Sequence, residues 1–163
     1  MQHFEGSNKG AGLRIAIVVA KFNDFVTDRL LTGALDALAA AGVASDDISL
    51  VKVPGAFEIP FAARQAAAQG RFEAIVCLGC LIKGATPHFE FIASAASQGI
   101  VDASASTGVP MTFGVLTTNS VEEALERAGA GSANKGWEAA MAAVEMATLQ
   151  KNIRQAAPPG IKV

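Results

Sequence analysis

From Ala74 to Ile82 the chain reads A-I-V-C-L-G-C-L-I, with no polar side chain anywhere in the run. A strand made of these residues has no face fit for water. It must be buried on both sides, as the strands of a parallel sheet are. The run breaks at Lys83-Gly84, and Ala85-Thr86-Pro87-His88 follows. Thr86 is a good N-cap and Pro87 suits the first helical position, so the order is strand, tight turn, helix. A helix N-terminus presents N–H groups without helical partners and the positive end of a dipole, which together favour anions. His88, one of two histidines in the chain, falls in that first turn beside Lys83 and Thr86. The stretch is expected to be an anion seat with a proton carrier next to it.

The rest of the chain repeats the strand-then-helix order. Leu13 to Ala20 is a strand, Lys21-Phe22-Asn23-Asp24 a short loop, and Asn23 or Asp24 a cap for the next helix. That helix carries an apolar stripe through Leu31, Ala34, Leu35 and Leu38 and stops near Gly42. Ile48 to Val53 is a strand ending in the Pro54-Gly55 turn, and Pro60 opens a helix running to about Gly70. The run at 74–82 is the third strand, and its helix passes through Phe89, Ile92, Ala93 and Ala96. Pro110 to Thr117 is the fourth strand. Ser120 with Glu123 forms a capping box, and a glycine-rich loop then leads to a last helix from Asn134 with a stripe at Trp137, Ala140, Met141 and Val144. Alternation of this kind builds a parallel sheet with helices on both faces, and no linker or repeat divides the chain, so residues 1–163 form one domain. Residues 1–12 read as an N-terminal arm and 154–163 as a frayed tail. Ligands of such sheets bind off the carboxyl ends of the strands. The segments at Phe22-Asn23, at 55–58, at 83–88 and from Thr117 onward are therefore expected to share one rim.

Composition narrows the partners. Only 17% of the residues are charged against 51% hydrophobic, where about 25% charged is usual. So few charges leave a monomer short of polar surface, and extensive subunit contacts are expected. A net charge of −2 with scattered basic residues argues against nucleic acid or an anionic membrane surface. No apolar run approaches the roughly 18 residues of a membrane span. The N-terminus lacks the basic and apolar regions of a signal peptide, so a cytoplasmic protein is expected.

Several familiar chemistries fail on spacing. The first strand–helix loop, K-F-N-D, lacks the G-x-G-x-x-G of a dinucleotide fold, and the glycines at 129 and 131 follow a helix and do not make a P-loop. Two distant histidines give no metal site. Cys77 and Cys80 form a C-x-x-C inside a strand, where positions three apart point to opposite faces, so both read as plain buried thiols. Phe22 is either the edge of the core or a stacking platform for a flat ring. Glu58 is either a solvated helix start or a rim carboxylate. Arg127 and Lys135 flank the glycine loop, either as ordinary charge placement or as anion contacts. Trp137 reads as core or subunit interface.

Taken together, F-N at 22–23, V-P-G-A-F-E-I-P at 53–60, G-A-T-P-H-F at 84–89, F-G-V-L-T at 113–117, E-R-A-G at 126–129 and N-K-G-W-E at 134–138 resemble the lumazine synthase family of riboflavin biosynthesis. The motifs follow in that family's order and spacing and cover nearly the whole chain. The resemblance implies a flavodoxin-like three-layer α/β/α sandwich with a four-stranded parallel sheet, assembled as homopentamers. It implies a transferase that condenses 5-amino-6-(D-ribitylamino)uracil with 3,4-dihydroxy-2-butanone 4-phosphate, with no metal or organic cofactor. By the same resemblance, Phe22 stacks on the pyrimidine, and Ala56, Phe57 and Glu58 hold the ribityl chain. The backbone at Cys80, Leu81 and Ile82 reads the pyrimidine edge. Ala85, Thr86 and Arg127 meet the phosphate, and His88 moves protons. Phe113 closes the ring pocket, Lys135 is a further pocket residue, and Phe113 and Arg127 reach in from the neighbouring subunit. The family's N-terminal segment pairs with a neighbour's sheet. With no proline in the arm and a short 127–135 loop, an icosahedral shell is expected, with riboflavin synthase a further candidate partner. Competing readings are a shell of the same fold that binds a lumazine or flavin without turnover, and a flavodoxin-type electron carrier.

Overall fold

The structure is a computed structural model that describes residues 1–156. Four strands, β1 (Ile15–Ala20), β2 (Ile48–Val53), β3 (Ala74–Ile82) and β4 (Met111–Thr118), form one parallel sheet in the order β2-β1-β3-β4. Five helices accompany them: α1 (Asp24–Ala40), α2 (Ile59–Ala68), α3 (His88–Thr107), α4 (Val121–Arg127) and α5 (Lys135–Gln155). This is the expected three-layer α/β/α sandwich with a four-stranded parallel sheet.

The pleat sorts the sheet's side chains into two cores. Ile15, Ile17, Val19, Val76, Leu78 and Cys80 face α1 and α5, packing with Leu30, Leu38, Ala140 and Val144. Ala16, Val18, Ala20, Ile75 and Cys77 face α2 and α3, packing with Ile59, Ala63, Ala96 and Ile100. Cys77 and Cys80 thus belong to opposite cores, and both are free thiols. Burial pushes Cys77 up to about 12 and Cys80 up to about 11, because a thiolate would lose its hydration there.

Local details depart from expectation where tertiary contacts overrule local signals. β1 starts at Ile15 rather than Leu13. On α1, Leu35 is exposed while Val26, Leu30 and Ala37 are buried, so the core-facing stripe is rotated from the one expected. Pro87, not Thr86, occupies the N-cap of α3, and His88 becomes the first helical residue. Asn23 caps α1 by position only. Its backbone is left-handed and its side chain points elsewhere. Ser120 Oγ accepts from the Glu123 N–H at 3.1 Å as a capping box requires, but the Glu123 carboxylate accepts from Asn119 N–H, one residue further out. Trp137 is half-buried against the α1/α5 core. α5 continues through Gln155, two residues into the segment expected as tail, and residues 157–163 of that tail lie outside the described residues. The arm runs along α5 of its own chain. Ser7 N–H donates to Thr148 Oγ1 at 2.8 Å and Asn152 Nδ2 donates to the Glu5 carbonyl at 2.9 Å. No helix among the described residues is long and apolar enough to cross a membrane.

Candidate functional site

The sheet order places the reversal of winding between β1 and β3, where adjacent connections leave toward opposite faces and open a crevice at the carboxyl ends. Three loops converge there. Lys21 N–H donates to Val53 O at 2.8 Å and Phe22 N–H to Pro54 O at 3.0 Å, which tie the end of β1 to the end of β2. Asn23 Nδ2 donates to Cys80 O at 2.9 Å and ties β1 to β3 across the crevice. The left-handed φ of 62° at Asn23 turns its amide toward β3 instead of α1. Asparagine accepts that conformation more readily than most residues.

The crevice widens into a hollow of about 550 Å³. Phe22, Ala56, Phe57, Glu58, Leu81, Ile82, Thr86 and His88 all line it, with Asn23, Phe89 and Ile92. Phe22 is 68% exposed and Phe57 60% exposed, so both side chains lie open to solvent rather than in the core. A solvent-facing aromatic in a concave site is a platform for a flat ligand. Cys80 is buried and does not line the hollow; its carbonyl accepts from Nδ2 of Asn23, which does. Ala85 is exposed in the turn between β3 and α3 and is not part of the hollow's wall. A Lys83 Nζ–Glu90 Oε1 ion pair at 3.7 Å spans that turn. His88, at the first position of α3, is exposed into the hollow. Its location at the N-terminal end puts it beside N–H groups that lack helical acceptors.

The fourth post-strand segment borders this rim, where Lys83 N–H donates to Thr118 O at 2.8 Å, but does not line the hollow. Phe113, Arg127 and Lys135 line a second hollow of about 510 Å³ on the edge of β4, with Thr117, Glu138 and Ala139. The two hollows have no residue in common. A shallower groove between α3 and β4, touched by Phe89 at one side and by Phe113 and Thr117 at the other, runs between them. In the second hollow Arg127 Nη1 donates to the Glu123 carbonyl at 3.1 Å, and Lys135 Nζ pairs with Glu138 Oε2 at 2.8 Å. Both cations therefore rest on acceptors of their own helices.

Of the four segments expected along one rim, three line the first hollow, while residues of β4, α4 and α5 line a separate, cationic one. Both β2 and β4 are edge strands, but the loop after β2 is tied back to β1 by the N–H groups of Lys21 and Phe22, while the chain leaving β4 turns into α4. Asn23 was expected to act as a helix cap, and its bridge to Cys80 has no local signature beyond an asparagine in a rim loop. Among the described residues no group of three or more His, Cys, Asp or Glu side chains could hold a metal ion.

Comparison with known proteins agrees with the motifs. Residues 12–151 match the sequence profile of the family described as 6,7-dimethyl-8-ribityllumazine synthase. A protein of Syntrophus aciditrophicus (strain SB) bearing that name is 52% identical over 149 residues, spanning 91% of this chain and 97% of its own length. Another of the same name, from Desulfatibacillum aliphaticivorans, is 49% identical over 150 residues, spanning 92% of this chain and 97% of its own length.

Proposed function

Because the chain belongs to the 6,7-dimethyl-8-ribityllumazine synthase family, transferases of riboflavin biosynthesis, we propose that it condenses 5-amino-6-(D-ribitylamino)uracil with 3,4-dihydroxy-2-butanone 4-phosphate. The products are 6,7-dimethyl-8-ribityllumazine, inorganic phosphate and water. The observation that carries this reading is the first hollow. An exposed aromatic platform, a carboxylate and a helix-start histidine converge there from three strand ends.

Phe22 stacks on the pyrimidine ring, and the backbone of Cys80, Leu81 and Ile82 reads its edge. Ala56, Phe57 and Glu58 hold the polyol chain. The phosphate sits at the start of α3, against Ala85 and Thr86, where N–H groups without helical partners favour negative charge. His88, one residue beyond the N-cap, handles the protons. Amine attack on the ketone, loss of water, elimination of phosphate and ring closure each need a proton delivered or removed. An imidazole can do both in turn near neutrality. Holding two substrates side by side supplies much of the remaining rate. No step calls for a metal or an organic cofactor.

Arg127, Lys135 and Phe113 complete the site from a neighbouring subunit. Support for this comes from the separation of the two hollows in one chain. Further support comes from the large apolar side chains left exposed on the α2/α3 layer, Phe61, Phe91 and Val101. A surface of that kind needs covering. A homopentamer covers it and brings one chain's cationic hollow to the next chain's His88. The same chemistry accommodates larger closed assemblies, including an icosahedral shell.

Mixing the protein with both substrates and following product absorbance and fluorescence tests the reading. Turnover well above the uncatalysed condensation is expected. Tight binding of the product with no such turnover would instead make the chain a non-catalytic binding shell.

A further inference from the structure

The loop from Ala128 to Asn134 joins the two cations of the second hollow, Arg127 ending α4 and Lys135 beginning α5. Its own backbone does little to fix its shape. Gly129 and Gly131 lie within it, Gly131 with a left-handed φ of 83°, and glycine restricts the chain less than any other residue. One side chain provides the missing constraint. Asn134 is 3% exposed. Its Oδ1 accepts from the backbone N–H of Gly136 at 2.7 Å and of Trp137 at 3.2 Å. Its Nδ2 donates to the Arg29 carbonyl at 3.2 Å and to the Gly129 carbonyl at 2.8 Å. The amide's two hydrogens and two acceptor positions are all used.

These four bonds divide into two jobs. The acceptor half caps α5, which Ser, Thr or Asp would also do. The donor half fastens the loop to itself and to α1, at a carbonyl more than a hundred positions away in sequence, and an amide offers two donors beside its two acceptor positions where a hydroxyl has only one. The surroundings are shaped to let it reach. A methyl group at Gly33 would overlap the Asn134 amide, and one at Gly136 would overlap the Leu30 carbonyl oxygen. α1 and α5 therefore approach at two glycines, with Asn134 between them.

We propose that Asn134 is the positioning residue of the cationic hollow, setting where Arg127 and Lys135 stand by lashing their shared loop to α1. The proposal rests on the reading that Arg127 meets the phosphorylated substrate. Asn134 touches no substrate itself. Its effect falls on the binding of that substrate and not on the proton transfers of His88.

The test compares Asn134→Asp and Asn134→Ser, both good caps that lack the amide donor, with Arg127→Ala as control. Both Asn134 variants are expected to raise KM for the butanone phosphate, and to weaken competitive inhibition by inorganic phosphate, by about tenfold. kcat should stay within about twofold of wild type, since the proton transfers of His88 do not depend on these bonds. Wild-type KM in both variants, or a lowered Tm and kcat with unchanged KM, would reduce Asn134 to a helix cap and overturn the proposal. Asn134→Ser adds no charge among the carbonyls, so it carries the test if Asn134→Asp does not fold. Arg127→Ala separates the two levels. An unchanged KM there overturns the reading of the hollow and this proposal with it. A raised KM there beside wild-type values in both Asn134 variants overturns the proposal alone.

Discussion

The two hollows differ in what holds them in shape. The first lies over the middle of the sheet, and its walls are the ends of three adjacent strands, tied by Lys21 to Val53, Phe22 to Pro54 and Asn23 to Cys80. The second lies on the edge of β4, and its cations depend on a glycine-rich loop pinned by one amide. A site over the centre of a parallel sheet inherits the rigidity of the strand ladder. A site at the edge must import rigidity through side chains and close helix contacts. The first should therefore tolerate small changes in its backbone surroundings, and the second should not.

The sharpest way to break this contrast is a pair of glycine substitutions. Gly136→Ala forces a methyl into the Leu30 carbonyl and should cost about 3 kcal/mol, lowering Tm by roughly 10 °C. Gly55→Ala, in the first hollow, meets only the Glu58 carboxylate at 3.7 Å and should shift Tm by no more than about 2 °C. Equal shifts would show that both regions are held alike. Next in size, His88→Ala should lower kcat by up to about a hundredfold while binding of the ribityl substrate is preserved, as measured by steady-state kinetics and titration. A kcat equal to wild type would take proton transfer away from this hollow.

Asn23→Gly removes the bridge to Cys80 without penalty at a left-handed position. It should cost about 1 kcal/mol, or 2–4 °C in Tm. An unchanged Tm would mean that the strand ends hold the crevice without it. The smallest effect concerns the thiols. Burial raises Cys77 to about 12 and Cys80 to about 11, from an ordinary value of 9.0. Because the folded values lie above the unfolded one, their contribution to stability is complete below about pH 9 and is lost as pH rises through 11 and 12. Native protein at pH 8 should leave both cysteines unmodified by an aromatic disulfide reagent, and unfolding should expose both. Rapid native labelling of Cys80 would reveal that the first hollow opens more readily than its ladder suggests.

Much of this arrangement was legible in the residues. The apolar run at 74–82 required a strand covered on both sides, and the alternation of strands and helices then put Phe22, Glu58 and His88 at one end of the sheet. The motifs were specific enough to name the family. What stayed hidden were long-range choices. Nothing local in A-G-A-G-S-A-N says that the asparagine will reach the Arg29 carbonyl, and nothing in K-F-N-D says that Asn23 will turn from its helix toward β3. Pro87 can serve either as N-cap or as first helical residue, and with its ψ of 1° outside the helical well the helix begins one residue later, at His88.

The sorting of side chains between the two faces of the sheet has a consequence for how the chain matures on the ribosome. The buried side chains of the α2/α3 face all lie between Ala16 and Val115, so that layer can be complete once β4 has emerged. The opposite face draws its members from Leu13 through Ala147, and its α1 stripe stays uncovered until α5 arrives to close it. Synthesis proceeds from the N-terminus and partly covered apolar surface is prone to aggregate. Between the synthesis of β4 and that of α5 the nascent chain therefore has one side finished and the other still open to unwanted partners.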